Sequence, residues 1–433
     1  MPPTRLLRAA LLGVAGVAPL VLIDDPTKAR TLALVALAVT AWLLEIVPSF
    51  VPTVGLLALA PLLLDDLPLR TVLEWSADPL LALFFGGFAL GAAATATGLD
   101  RRMAGVIVRA SRGTSRGLVA ATAAGGFVTS MWMSNAAAAA VLIAALRPLI
   151  RGTTPLKTPL LLAIAMGTNF GGMVTPIGSG PNAIAIASLG PGHSISFIQW
   201  MALGLPLALA LVVAASLAIV RGYRVQGPID ALPPEDDRLD HRQRALLVVF
   251  GCAVAAWLSE PFHGISSASV ALMVAGTLFA SGILQTKDLS LIDWATLLLI
   301  AGGLIVGRLL ERSGALSGLA EILPLSDLPA ALRMILVVGI AALLSALMSN
   351  TATALVLIPV VAALDPSPAT PVLIAMGCAL GVPFAISTPP NAMVVGAGAS
   401  SRDLLRIGLP LMIAGTVFVA LTGPWVLGVF GWK

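Results

Sequence analysis

Apolar runs separated by charged or Gly- and Pro-rich breaks recur along the whole chain, and many reach the roughly 17–25 residues that a helix needs to cross a bilayer. Eleven such spans centre near residues 16, 39, 58, 90, 170, 208, 252, 274, 300, 385 and 418. Two further apolar segments, 117–150 and 334–361, each carry a Ser-Asn pair in the middle, in SMWMSNAAAAA (130–140) and SALMSNTATA (345–354). Asn is a poor interior helix residue, and an amide buried without partners costs about 1–3 kcal/mol. The position of the pair therefore asks for a turn or a ligand.

The flanking charges choose the turn. Arg101, Arg102, Arg109, Arg112 and Arg116 precede the first segment, and Arg147, Arg151 and Lys157 follow it. Cytoplasmic loops collect Lys and Arg, so both ends of this segment read as cytoplasmic and the segment as a re-entrant hairpin turning at Ser134-Asn135. The second segment has a balanced leading flank (308–333) and a trailing flank (362–370) whose only charge is Asp365, which reads as a hairpin entered from outside. Traced from a cytoplasmic N-terminus, 65–78 falls outside, 221–244 inside, Arg402 and Arg406 inside, and the C-terminus outside.

Two hairpins facing opposite ways predict an internal inverted repeat, and ordered matches supply one. Trp42, Leu43 and Glu45 match Trp257, Leu258 and Glu260, 215 positions on; Gly86-Gly87 match Gly302-Gly303; Ser134-Asn135 match Ser349-Asn350; and AMGTNFGGMVTPIGSGPNA (165–183) matches AMGCALGVPFAISTPPNA (375–392). The expected fold is an all-α polytopic membrane protein. Residues 1–28 form an extra N-terminal span, 29–221 the first repeat with its cytoplasm-facing hairpin, 222–244 a cytoplasmic linker, and 245–433 the second repeat with its outside-facing hairpin. In each half the Pro-Asn stretch breaks the parent span, and unwound backbone at membrane depth is tolerated only in protein or beside a cavity. Half-helix N-termini there favour an anion, while freed carbonyls and Ser, Thr and Asn oxygens suit a small cation.

Composition agrees: 58% hydrophobic and 11% charged residues describe a membrane protein. The net charge of +4 reports topology, and no basic cluster interleaved with aromatics suggests nucleic acid. Arg5 and Arg8 before LLGVAGVAPLVLI read as a retained first span. Cys252 and Cys378 lie in separate apolar segments and read as small buried side chains. Trp132 and Met133 read as packing, the Gly86-Gly87 pair as close helix contact, and Glu260 and Glu45 as either helix caps or part of an ion path. Neither HExxH nor Cys/His spacing is present, so a metalloenzyme is not expected.

The paired Ser-Asn motifs, the paired Pro-Asn loops, WLLEIVP and FFGGFALG resemble the divalent anion/sodium symporter family of the ion transporter superfamily, over nearly the whole chain. That resemblance implies a homodimer in the inner membrane, whose transport domains move elevator-fashion against a scaffold, importing dicarboxylates, citrate or sulfate with Na+. It implies substrate contacts from Ser134, Asn135, Ser179, Gly180, Ser349, Asn350, Thr351, Thr388 and Pro389. It implies sodium sites at Ser130, Ser134, Asn135 and Gly178, and at Ser345, Met348, Asn350 and Ser387. The family pattern breaks at Ala136, where Thr is usual, and at Gly180, where Pro is usual. A C4-dicarboxylate such as succinate is the leading substrate. A dicarboxylate exchanger or proton-coupled carrier of the same fold is the alternative, and an intramembrane enzyme a remote one, since Ser134 has no His, Lys or Asp within its segment.

Overall fold

The computed structural model describes residues 3–44, 47–48, 50–99, 102–150, 154–189, 195–229, 239–314, 328–365 and 367–429. Glu45 and residues 230–238 of the expected linker lie outside them. Among the described residues the chain is helical, without strands, and one isolated bridge joins Thr114 to Pro228.

The principal helices are α1 (Pro3–Leu22), α2 (Pro26–Leu43), α3 (Val51–Leu63), α4 (Pro79–Ala96), α5 (Ser115–Ser130), α6 (Asn135–Ala145), α7 (Lys157–Gly171), α8 (Gly180–Ala187) and α9 (Phe197–Gly222). They continue as α10 (His241–Leu258), α11 (Ser267–Ala280), α12 (Trp294–Ser313), α13 (Ala330–Leu347), α14 (Asn350–Leu364), α15 (Ala369–Cys378), α16 (Pro389–Gly396) and α17 (Ser401–Val429). From α2 onward, each helix of the first half has a counterpart eight places later. α4, α9, α12, α13 and α17 are long and apolar enough to cross a membrane by length and composition. α1, α2, α3, α10 and α11, and the paired segments α7–α8 and α15–α16, fall where the other spans are expected.

Local chemistry sets these boundaries. Asp25 accepts from the amides of Thr27 and Lys28 and opens α2 at Pro26; Asp78 accepts from Leu80 N and opens α4 at Pro79. α9 and α10 begin with reciprocal capping boxes, Ser196 with Gln199 and Asp240 with Gln243. Glu260 acts as a cap in the same sense. Its carboxylate accepts from Ser267 Oγ at 2.6 Å and Ser267 N at 3.2 Å at the start of α11, and from Phe197 N at 3.4 Å at the start of α9.

Both glycine pairs permit close helix approach. A Cβ on Gly86 would sit 2.4 Å from the carbonyl oxygen of Ala271 in α11, and one on Gly302 would sit 2.2 Å from Thr53 Oγ1 in α3. Their neighbours Gly87 and Gly303 abut Ile177 and Leu355, from the chain that forms the site. Buried apolar side chains gather in one core around α4, α10 and α11 and a larger one around α5, α7, α13 and α15. The site lies between them.

Two helix pairs turn back on themselves. α5 and α6 join at Met131–Ser134, and α13 and α14 join at Met348–Ser349. The far ends of the second pair are tied, because Arg333 Nε lies 3.4 Å from Asp365 Oδ2 with the Asp365 side chain only 8% exposed. α13 is long enough to cross, yet its start and the end of α14 are held at one end of the molecule. The two helices thus form a hairpin over the second Ser-Asn segment. Trp132 packs, as its place beside the tip suggests: it stacks on Phe197 and Trp257 at 6.2 and 6.1 Å, and its edge meets Phe250.

Candidate functional site

Each hairpin tip is built by one short polar motif. Ser134 accepts from Ala137 N at 3.3 Å and so caps α6; Ser349 accepts from Ala352 N at 3.2 Å and caps α14. The first helical residue is then Asn, whose amide oxygen is met from behind. Ser130 Oγ donates to Asn135 Oδ1 at 2.7 Å, and Ser345 Oγ lies 2.7 Å from Asn350 Oδ1. Ser130 and Ser345 are fully buried, whereas Asn135 and Asn350 are half-buried. Ser345 Oγ has a second acceptor in Cys378 O at 2.7 Å, and among the described residues no such second acceptor is found for Ser130.

The Pro-Asn motifs hold the unwound segments. Between α7 and α8, Asn182 Nδ2 donates to Gly172 O and Thr175 O, both at 2.8 Å. Between α15 and α16, Asn391 Nδ2 donates to Val382 O and Phe384 O, both at 2.9 Å. Each loop is also stitched to its own hairpin, by Thr175 Oγ1 to Met131 O and by Ser387 Oγ to Ala346 O at 2.8 Å. These bonds satisfy carbonyls that a broken helix would otherwise bury unpaired. At the broken spans themselves the halves are joined by Asn169 Nδ2, which donates to Asn391 Oδ1 at 3.0 Å.

Both tips and both loops meet at one cavity of about 430 Å³. All nine residues expected to contact substrate line it: Ser134, Asn135, Ser179, Gly180, Ser349, Asn350, Thr351, Thr388 and Pro389. Gly178 lines it as well. Ser130, Ser345 and Ser387 lie buried behind the wall, and Met348, the C-cap of α13, is not in the lining. The N-termini of α6, α8, α14 and α16 all face the cavity, so four helix dipoles present their positive ends there. No Lys, Arg or His is among the lining residues.

Residues 33–381 match the citrate transporter family, CitMHS. The chain belongs to that family. A sodium-dependent dicarboxylate transporter of Staphylococcus saprophyticus is 28% identical over 453 residues, covering 90% of this chain and 85% of its own. An inorganic phosphate transporter of Saccharomyces cerevisiae is 26% identical over 406 residues; the match covers 86% of this chain and 43% of the relative's length. The crystal structure of the Alcanivorax borkumensis YdaH transporter shares the fold, with TM-score 0.63 and 17% identity over 94% of this chain and 99% of that one. The citrate transporter match agrees with the ion transporter superfamily indicated by the Ser-Asn and Pro-Asn motifs, and makes this an integral, multi-pass membrane protein.

Several residues of this citrate transporter family member do work that the motifs do not announce. Asn182 and Asn391 sit in the quoted motifs, yet their work is to brace the loops. Trp42, Phe84, Phe88, Asp293, Thr296 and Leu299, which form the facing wall, belong to no polar pattern in the sequence. The departure at Gly180 has a steric reason: a Cβ there would lie 2.4 Å from Thr351 Oγ1 of the opposite tip. Gly180→Ala should therefore displace Thr351 and lower affinity for the transported anion about tenfold, near 1.4 kcal/mol. Recovery in the Gly180→Ala, Thr351→Ser double variant, which frees the methyl group's space, would support the contact; an unchanged Gly180→Ala protein would refute it.

Proposed function

We propose that this protein is a secondary active importer of small divalent anions, C4-dicarboxylates such as succinate, coupled to sodium. The observation that carries this reading is the convergence of two Ser-Asn tips and two broken spans on one cavity lined by four helix N-termini and no cationic side chain. Such a site stabilises negative charge through dipoles, amides and hydroxyls, each hydrogen bond adding about 0.5–1.5 kcal/mol. A volume near 430 Å³ accommodates a four-carbon dianion with its coupling ions.

For sodium, the available donors are hard, neutral oxygens, which fit a small hard cation. Ser130, Ser134, Asn135 and Gly178 would hold one ion at the first tip. Ser345, Met348, Asn350 and Ser387 would hold another at the second, Met348 through its backbone. The Ser130–Asn135 and Ser345–Asn350 contacts already bring hydroxyl and amide oxygens together in pairs.

The inverted arrangement and an elevator movement belong to the same proposal. In it the two hairpins and the broken spans form the arm that carries the site, and α4, α10, α11 and their counterparts the frame; α4, α10 and α11 centre on a smaller core of their own. A homodimer joined through that frame is the assembly expected. Orientation is checked by cysteine labelling in a Cys252→Ser background. Ala110→Cys should react only from the cytoplasm, and Ser367→Cys only from outside. Reaction of both from one side would remove the inversion.

The substrate is identified by an uptake panel of labelled succinate, citrate, sulfate and phosphate in proteoliposomes with an inward sodium gradient. Saturable, sodium-stimulated uptake led by succinate is the expected result. Uptake led by phosphate, the substrate in the name of the yeast relative, would overturn the dicarboxylate assignment and leave the anion site standing. Uptake indifferent to sodium but driven by a proton gradient or by internal dicarboxylate would favour the carrier or exchanger alternative.

A further inference from the structure

We propose that Asp293 is a mouth carboxylate that weakens anion binding on the inner face and so favours release there, and that Asp78 does the same on the outer face. This rests on the anion-transport reading and its topology, and it concerns residues that neither assigns.

Asp293 stands in the cavity wall opposite the tips, beside Thr296. Its carboxylate is fixed there: Oδ1 accepts from Thr296 N at 3.0 Å and Oδ2 from Thr296 Oγ1 at 2.8 Å. No cationic side chain lines the cavity to offset it. A dianion held at the tips therefore shares the cavity with a negative charge that no cationic side chain balances, and the repulsion lowers affinity relative to a neutral cap at the same position. Beyond the helix cap it forms, the charge opposes tight anion binding and so aids release.

The facing wall also tells which mouth this is. Val47 and Pro48 follow the end of α2, and Asp293 and Thr296 start α12. Both ends are cytoplasmic in the topology traced from the basic loops, so the cavity borders the inner mouth. Asp78, 215 positions earlier, opens α4 as Asp293 opens α12, and likewise caps its helix, accepting from Leu80 N at 2.8 Å. It is half-buried and does not line the cavity. In an inverted repeat the two halves exchange conformations when the carrier turns over, which brings the start of α4 to the site as the start of α12 leaves it.

The bland role is helix capping alone, and Asn caps as well as Asp. Asp293→Asn and Asp78→Asn therefore keep the helix starts and remove only the charge. The test uses the full-length protein in proteoliposomes sorted by orientation, with labelled succinate at saturating sodium. Asp293→Asn should lower the half-saturating concentration at the inner face about threefold or more at low ionic strength and leave the outer value unchanged; Asp78→Asn should do the reverse. Both effects should shrink in about 0.5 M salt, which a structural role would not produce. Wild-type values at both faces, equal changes at the two faces, or a raised sodium requirement in Asp293→Asn would each overturn the proposal. Saturable uptake by wild type with unaltered variants defeats this inference alone. No saturable anion uptake by wild type defeats the transport reading with it.

Discussion

Asn350→Ala should lower anion uptake about a hundredfold while the protein still reaches the membrane in near-normal amount. The Asn350 amide faces the cavity at the start of α14, and a hydrogen bond to a charged group is worth about 1.5–3 kcal/mol, up to a hundredfold in binding. Folding suffers little, because Ser345 keeps Cys378 O as acceptor when Asn350 is gone. Asn135→Ala should damage uptake as much and folding more. Ser130, fully buried, donates to Asn135 Oδ1, and its removal strands the hydroxyl at a cost of about 1–3 kcal/mol. Uptake per inserted molecule and thermal unfolding in detergent separate the two effects. Equal stability losses in both variants would show that the two tips are not braced as described.

The largest loss of stability is expected from Asn391→Ala. Three hydrogen bonds go at once, leaving Val382 O and Phe384 O without their donor and the amide of Asn169 without its acceptor. Asn169 Oδ1 is buried and has no hydrogen-bond partner among the described residues, so that side chain would be left wholly unsatisfied. At about 1 kcal/mol or more for each stranded group, the loss comes to about 3–5 kcal/mol. Asn182→Ala removes only the two bonds to Gly172 O and Thr175 O and should cost less. Thermal unfolding of the two variants side by side checks this ranking. A reversal would mean that the Asn169–Asn391 bond contributes nothing.

The hairpins, the broken spans and the residues around them were legible because each breaks a local rule in a way repeated 209 to 216 positions later. A Ser-Asn inside an apolar run, or a Pro-Asn where a helix should continue, costs free energy that only a tertiary role offsets. The facing wall was not legible. Phe84 and Phe88 sit in the quoted FFGGFALG stretch with nothing to assign them to the site, Leu299 is an ordinary residue for a membrane helix and Asp293 an ordinary cap, so their place beside the site comes from how the two cores meet. The loop-bracing work of Asn182 and Asn391 was hidden for another reason. The same amide serves equally well as ligand or as brace, and only the positions of the carbonyls decide. The same holds for Gly180, whose missing side chain is explained by Thr351 from the other half of the chain.

The measurement that bears most directly on the central claim is uptake of labelled succinate by proteoliposomes holding wild type or the Asn135→Ala, Asn350→Ala double variant, under an inward sodium gradient. Saturable, sodium-stimulated uptake by wild type that vanishes in a folded, inserted double variant is the result predicted. Wild-type uptake that persists in the double variant, or no saturable uptake of succinate, citrate, sulfate or phosphate by wild type, would contradict a transport site built from the paired tips.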